Sequence, residues 1–185
     1  KCNHNFFNNI QKIITLFKTE IQQYFTNSEL FCIFRKNKRI LLFLIKEQML
    51  IANEYFAKQI MNDKYIEAKY PQYFAKELKP FLKEEWFPKP KNQNDLINEV
   101  HKELPDDFEC KRETGDNDGY VSKMIQEDLV KEFDTYVNQT NYSLKSKIKQ
   151  SNYETNSFLL KKQSSEGVSL IEYAAFYGSI QIFQY

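Results

Sequence analysis

Apolar side chains recur every three or four residues over much of the chain, which is the spacing that places them on one face of a helix. The first such stretch spans residues 6–25, and its predicted buried face consists of Phe6, Ile10, Ile13, Phe17, Ile21 and Tyr24. Further helices are predicted at residues 30–34, 40–45, 53–61, 95–104 and 120–137. Prolines and polar stretches separate these segments, and the scarcity of Gly, at 4, and Pro, at 5, argues against sandwiches, barrels and other turn-rich folds. The chain is therefore predicted to be all-α.

The C-terminal end of the chain carries the most specific pattern. Ser169 and Glu172 have the spacing of a capping box, in which each side chain bonds to the other residue's backbone amide. Ala174 and Ala175 have small side chains that let a neighbouring helix approach closely. Gly178 is suited to the left-handed conformation that ends a helix, and a second short helix is predicted after it. Because such a pair cannot bury its apolar face alone, we expect stacked neighbours.

This segment, Ser-Leu-Ile-Glu-x-Ala-Ala-x-x-Gly, resembles the Thr-Pro-Leu-His-x-Ala-Ala-x-x-Gly core of an ankyrin repeat. Ser169 stands for the Thr, Ile171 for the Leu and Gly178 for the glycine between the helices, whereas Leu170 and Glu172 depart from the pattern. More of the chain is similar to ankyrin-repeat proteins expanded in trichomonad-type parasitic protists, in which an all-helical region precedes the regular repeats. The similar segments are residues 28–45, 80–87, 102–137, 153–161 and 169–185. The resemblance implies a binding scaffold and names no partner.

An earlier, degenerate copy of the helix pair is predicted at residues 26–45. Thr26 and Glu29 have the spacing of another capping box. Alignment with the C-terminal pair places Asn37 on Gly178, and Asn is the residue that best replaces Gly in a left-handed helix end. A break at residues 126–128 would divide the helix at 120–137 into a further pair.

These observations predict an ankyrin-like helix-turn-helix stack, or α-solenoid. We expect residues 1–167 to form an all-helical region with degenerate helix pairs, and residues 168–185 to begin a regular but incomplete repeat. The chain starts at Lys1 and stops inside the last predicted helix, so we interpret it as a fragment of a longer protein that is truncated within a repeat.

Composition removes several function classes. The chain of 185 residues has 26 basic and 25 acidic side chains, so no overall field attracts nucleic acid or a membrane surface. The three cysteines, Cys2, Cys32 and Cys110, form no Cys-x-x-Cys pair, and we expect free thiols in an intracellular, cytoplasmic location. No signal peptide is predicted, and the longest apolar run, residues 40–45, is too short to span a bilayer.

The segment Arg35–Arg39 is the basic cluster of the sequence. We interpret it as a solvated turn between two helices. The alternative function that it suggests is a regulatory or capping domain that binds an anionic ligand, either nucleic acid or phospholipid, through this turn.

Catalytic and metal-binding patterns are weak. His101 and Cys110 could form a thiol–imidazole pair, but the sequence offers no partner to orient the imidazole. The acidic loop before Gly119 suggests calcium, yet Thr114 and Ile125 occupy the first and twelfth positions of an EF-hand loop, which need carboxylates. We therefore expect no catalytic residue, no cofactor and no metal. The predicted function is a non-catalytic protein–protein interaction scaffold with an unknown partner.

Overall fold

The structure is a computed structural model that describes residues 2–62, 70–82, 100–156, 158–160 and 167–185, with side chains from Phe7 onward. Its longer elements are α-helices, and these ranges contain no strand. An isolated antiparallel bridge joins Lys147 to Ser169. The all-α prediction is confirmed for the described residues. The helix predicted at residues 95–104 lies mainly outside them, as do the side chains of Cys2, His4 and Phe6.

The chain divides into two compact units, residues 1–105 and residues 106–185. The helices of the first unit are α1 (Cys2–Leu16), α2 (Lys18–Tyr24), α3 (Asn27–Phe34), α4 (Lys38–Lys46), α5 (Glu54–Asn62), α6 (Tyr70–Tyr73) and α7 (Ala75–Leu78). The helices of the second unit are α8 (Phe108–Thr114), α9 (Tyr120–Gln126), α10 (Val130–Thr140), α11 (Leu170–Tyr177) and α12 (Ile180–Gln184). Residues 168–185, which were predicted to begin a regular repeat, pack within the second unit.

Edge-to-face phenylalanine rings form the centre of the first unit. The ring centroid of Phe56 lies 5.6 Å from that of Phe31 and 5.4 Å from that of Phe74, with interplanar angles near perpendicular. Such contacts between aromatic rings add to the stabilisation from their buried area. Leu41 and Leu44 on α4 are fully buried in the same core. Helix α4 therefore contributes most of the longest apolar run of the sequence to the core of the first unit.

The face that the first two helices bury includes only part of the predicted one, namely Ile10 and Ile21. Ile14 is buried, and Phe7, Ile10 and Ile21 pack against the core of the first unit. By contrast, three members of the predicted buried face are exposed, namely Ile13, Phe17 and Tyr24. Both rows have helical spacing, so periodicity does not discriminate between them. Packing against the rest of the unit selects the row that contains Ile14.

The predicted capping box at the start of α3 is present. The hydroxyl of Thr26 accepts a bond from the amide of Glu29 at 3.3 Å, and the amide of Thr26 donates to the Glu29 carboxylate at 2.8 Å. The prediction for Asn37 is wrong, because its φ of −128° is not left-handed. Asn37 instead caps the next helix, since its side-chain oxygen accepts a bond from the amide of Ile40 at 3.1 Å. The residue thus begins α4 rather than ending α3.

In the second unit, two helix pairs pack side by side. The first pair is α9 and α10, and the predicted break falls between them, where Asp128 adopts a φ of 56°. The second pair is α11 and α12, separated by Gly178 with a φ of 71°. Helix α9 packs on α11, and α10 packs on α12. The break within residues 120–137 and the left-handed Gly178 are therefore confirmed.

The turn of the first pair is hydrogen-bonded to the start of α12. The Asp128 carboxylate accepts bonds from the amides of Gln181, at 3.2 Å, and Ile182, at 3.0 Å. The hydroxyl of Ser179 donates to the carbonyl oxygen of Ile125. A helix leaves its first amides without intrahelical partners, so Asp128 satisfies two of them from another element. This junction fixes α12 relative to α9 and α10.

Helix α11 shows the predicted caps at both ends but only one of the two predicted close-packing positions. Ser169 and Glu172 form the capping box, with the amide of Ser169 donating to the Glu172 carboxylate at 2.9 Å. Ala174 is buried, whereas Ala175 is exposed, so the expectation for Ala175 is wrong. Neighbouring residues on a helix point in directions that differ by about 100°. The buried face of α11 consists of Leu170, Tyr173 and Ala174, and the next residue, Ala175, lies outside it.

We expect Gly178→Ala to lower the free energy of unfolding by about 1 kcal/mol, because a residue with a Cβ resists the left-handed conformation. A Cβ at this position would meet nothing within 4 Å, so the cost arises from the backbone alone. Urea unfolding followed by circular dichroism measures the change. Gly178→Asn is the control and should cost less, since Asn tolerates this conformation better. Equal stability of wild type and Gly178→Ala would contradict the assignment.

Candidate functional site

An apolar groove opens on the second unit beside α10, α11 and α12. It has a volume of about 250 Å³ and is lined by Phe133, Leu144, Leu170, Ile171, Ile182, Phe183 and Tyr185. Except for the hydroxyl of Tyr185, these side chains are hydrocarbon. The groove is therefore suited to apolar side chains rather than to a charged or polar ligand.

The groove has a buried floor and an exposed rim. Phe133, Leu170 and Ile182 form the floor and belong to the core of the second unit. Ile171 and Phe183 stand at the rim, 56% and 49% exposed respectively. A partner that covers rim side chains of this size removes apolar surface from water. Each Å² that is buried stabilises the complex by about 25 cal/mol. The floor is already packed, so the rim is where a bound partner would gain stabilisation.

Tyr185 lines the groove and makes two contacts with α10. Its ring lies edge-to-face on Phe133, with centroids 5.5 Å apart. Its hydroxyl donates a hydrogen bond to the Asp134 carboxylate at 2.7 Å, and this bond raises the pKa of Tyr185. Together with Asp128 at the N-terminus of α12, these contacts hold both ends of that short helix. The wall of the groove is thus fixed by side chains of the turn before α10 and of α10 itself.

Sequence reasoning missed this groove. Leu144 belongs to the polar stretch 138–151, yet it lines the groove and is 50% exposed. In the sequence, the signal for the groove was a single leucine, Leu144, within polar neighbours. Ile171 was noted only as an ankyrin-like position. Whether Leu144 and Ile171 line the same surface depends on the path of the chain between α10 and α11. The spacing of apolar residues in the sequence does not predict that path.

The structure divides the basic segment Arg35–Arg39 into buried and exposed members. Lys38 is 1% exposed, and its ammonium nitrogen lies 4.8 Å from the ring centroid of Tyr73. The guanidinium of Arg39 lies 4.0 Å from the ring centroid of Phe7. Contacts of cations with aromatic faces stabilise them where water is excluded. The prediction of a solvated turn is therefore wrong for Lys38, whereas Lys36 is exposed and Arg35 and Arg39 are half-buried.

The acidic loop before α9 uses its polar groups to hold the chain together. The side-chain oxygen of Asn117 accepts a bond from the amide of Gly119 at 2.9 Å, and its nitrogen donates to the Lys149 carbonyl at 2.8 Å. Asp118 accepts a bond from the hydroxyl of Ser151 at 2.7 Å and pairs with Lys111 at 3.3 Å. These bonds anchor the connection between α10 and α11. Within the described ranges, no group of three His, Cys, Asp or Glu side chains is arranged to hold a metal.

The two residues of the thiol–imidazole hypothesis are both exposed. His101 belongs to the first unit and Cys110 to the second. Cys32, another free thiol, is also exposed.

A buried polar network lies beneath α11. The hydroxyl of Tyr173 accepts a hydrogen bond from the Gln126 side chain at 2.8 Å, and the same nitrogen donates to the Asn117 carbonyl at 3.1 Å. Glu154 is fully buried nearby, and its carboxylate accepts a bond from the amide of Asn156 at 2.8 Å. Burial raises the pKa of Tyr173 to about 12, and the negative charge of Glu154 contributes. Burial raises the pKa of Tyr177 as well.

Tyr173 makes the stability of the second unit sensitive to alkaline pH. Its pKa is about 12 in the folded state against 10.0 ordinarily, so its contribution is present below pH 10 and is lost as pH rises towards 12. The difference corresponds to roughly 2–3 kcal/mol. We expect urea unfolding between about pH 9 and 12 to show this loss. Tyr173→Phe should reduce the pH dependence without abolishing it, because Tyr177 remains. An unchanged slope in Tyr173→Phe would contradict the assignment.

No protein-family model matches the chain, and comparisons with curated proteins and with solved structures also found no match. The resemblance to ankyrin repeats therefore stays a prediction. In the part of the chain that the structure describes, no helix is both long enough and apolar enough to cross a bilayer.

Proposed function

We propose that this chain is a non-catalytic protein-interaction scaffold of the ankyrin-repeat type. In this proposal, the groove beside α10, α11 and α12 receives apolar side chains from a helical segment of a partner protein. The observation that carries the proposal is the continuity between the groove and the packed core. The floor residues Phe133, Leu170 and Ile182 also belong to the core of the two helix pairs.

This continuity favours a helix as the occupant. The groove extends a surface on which α10 already packs against α12, and helices meet one another through apolar side chains spaced three or four residues apart. A volume of about 250 Å³ is enough for one or two large side chains rather than for a whole element. The partner would therefore insert a few anchors and lie with its polar face towards solvent.

Three local features support the ankyrin-like part of the proposal. The C-terminal pair has the capping box of Ser169 and Glu172, a buried small residue at Ala174 and a left-handed Gly178 between its helices. A second pair, α9 and α10, packs beside it helix against helix. Repeat proteins are built in this way, since each unit covers the apolar face of its neighbour.

Binding of an anionic ligand is the weaker candidate. Lys38 is buried against Tyr73, and Arg39 covers Phe7, so the segment Arg35–Arg39 does not present its full charge to a ligand. A phosphate-binding surface gains affinity from several exposed cations that act together. The structure therefore offers no observation that favours this function over the apolar groove.

A panel of helical peptides tests the proposal. Peptides that carry Leu or Phe three and four residues apart are labelled with a fluorophore, and their binding to the whole chain is followed by anisotropy. We expect Ile171→Asp and Phe183→Asp to weaken binding about tenfold or more, because each would place a charge against the apolar partner.

The matched control is Ile180→Asp. Ile180 lies on the same helix as Phe183 and is 65% exposed, but it does not line the groove. This variant should bind the peptides as the wild type does. Equal losses in all three variants, or binding that no variant changes, would reject the groove as the site. Circular dichroism of each variant verifies that the helices remain folded.

A further inference from the structure

We draw no further inference here: the strongest candidate outside the groove, the exposed apolar row of Ile13, Leu16, Phe17 and Tyr24 on α1, α2 and the residue between them, carries no proposal because nothing in the described structure shows what covers it.

Discussion

Phe56→Ala is expected to lower the free energy of unfolding of the first unit by about 3–5 kcal/mol. The side chain is fully buried and lies between the rings of Phe31 and Phe74, with centroid distances of 5.6 Å and 5.4 Å. Truncation would remove its buried area and both edge-to-face contacts, and the surrounding rings could fill the cavity only by leaving their present positions. Urea unfolding measures the loss.

Tyr55→Ala is the matched control for this prediction. Tyr55 is the preceding residue, its ring lies 6.4 Å from that of Phe31, and it is 40% exposed. We expect its truncation to cost about 1 kcal/mol or less, because an exposed site leaves no closed cavity. Hydrogen exchange should show the damage of Phe56→Ala within the first unit. A cost for Phe56→Ala no larger than that of the control would contradict the described core.

Ala174→Leu is expected to destabilise the second unit by about 1–3 kcal/mol, and by more if α11 has to move. Ala174 is 1% exposed within the core to which Met124, Ile125 and Tyr173 belong. Interiors are packed as closely as organic crystals, so three extra carbon atoms must displace a neighbour or the helix itself. Chemical unfolding of the second unit reports the cost.

Ala175→Leu provides the comparison. Ala175 is on the same helix and is exposed, so the substitution changes composition and helix propensity equally while adding nothing to the core. We expect its stability to stay within about 0.5 kcal/mol of the wild type. If both variants lost the same stability, the assignment of one face of α11 to the interior would be wrong.

The features predicted correctly from the sequence are the ones that depend on a few adjacent residues. Both capping boxes require only a hydroxyl and a carboxylate three residues apart, and Gly178 requires only the freedom of its own φ. The break near Asp128 was likewise visible as a polar interruption of an apolar row. These local rules predict the all-α class and the approximate ends of several helices.

The features that sequence reasoning missed depend on contacts between distant segments. Two rows of α1 and α2 have helical spacing, and only packing in the first unit decides that Ile14 is buried while Ile13 is exposed. Lys38 looked solvated because lysine usually is, but Tyr73 provides an aromatic face over which its ammonium group lies. Leu144 lines the groove because of the path of the connection around it.

The two hydrogen bonds that attach α12 to Asp128 determine which positions of this junction tolerate substitution. Both acceptors belong to one carboxylate, but both donors are main-chain amides, at residues 181 and 182. Any residue except proline supplies such an amide. These two bonds therefore require a particular side chain only at residue 128, and none on α12. The exposed side chains of α12 can therefore change without loss of these two bonds, whereas Ile182 remains constrained by the core.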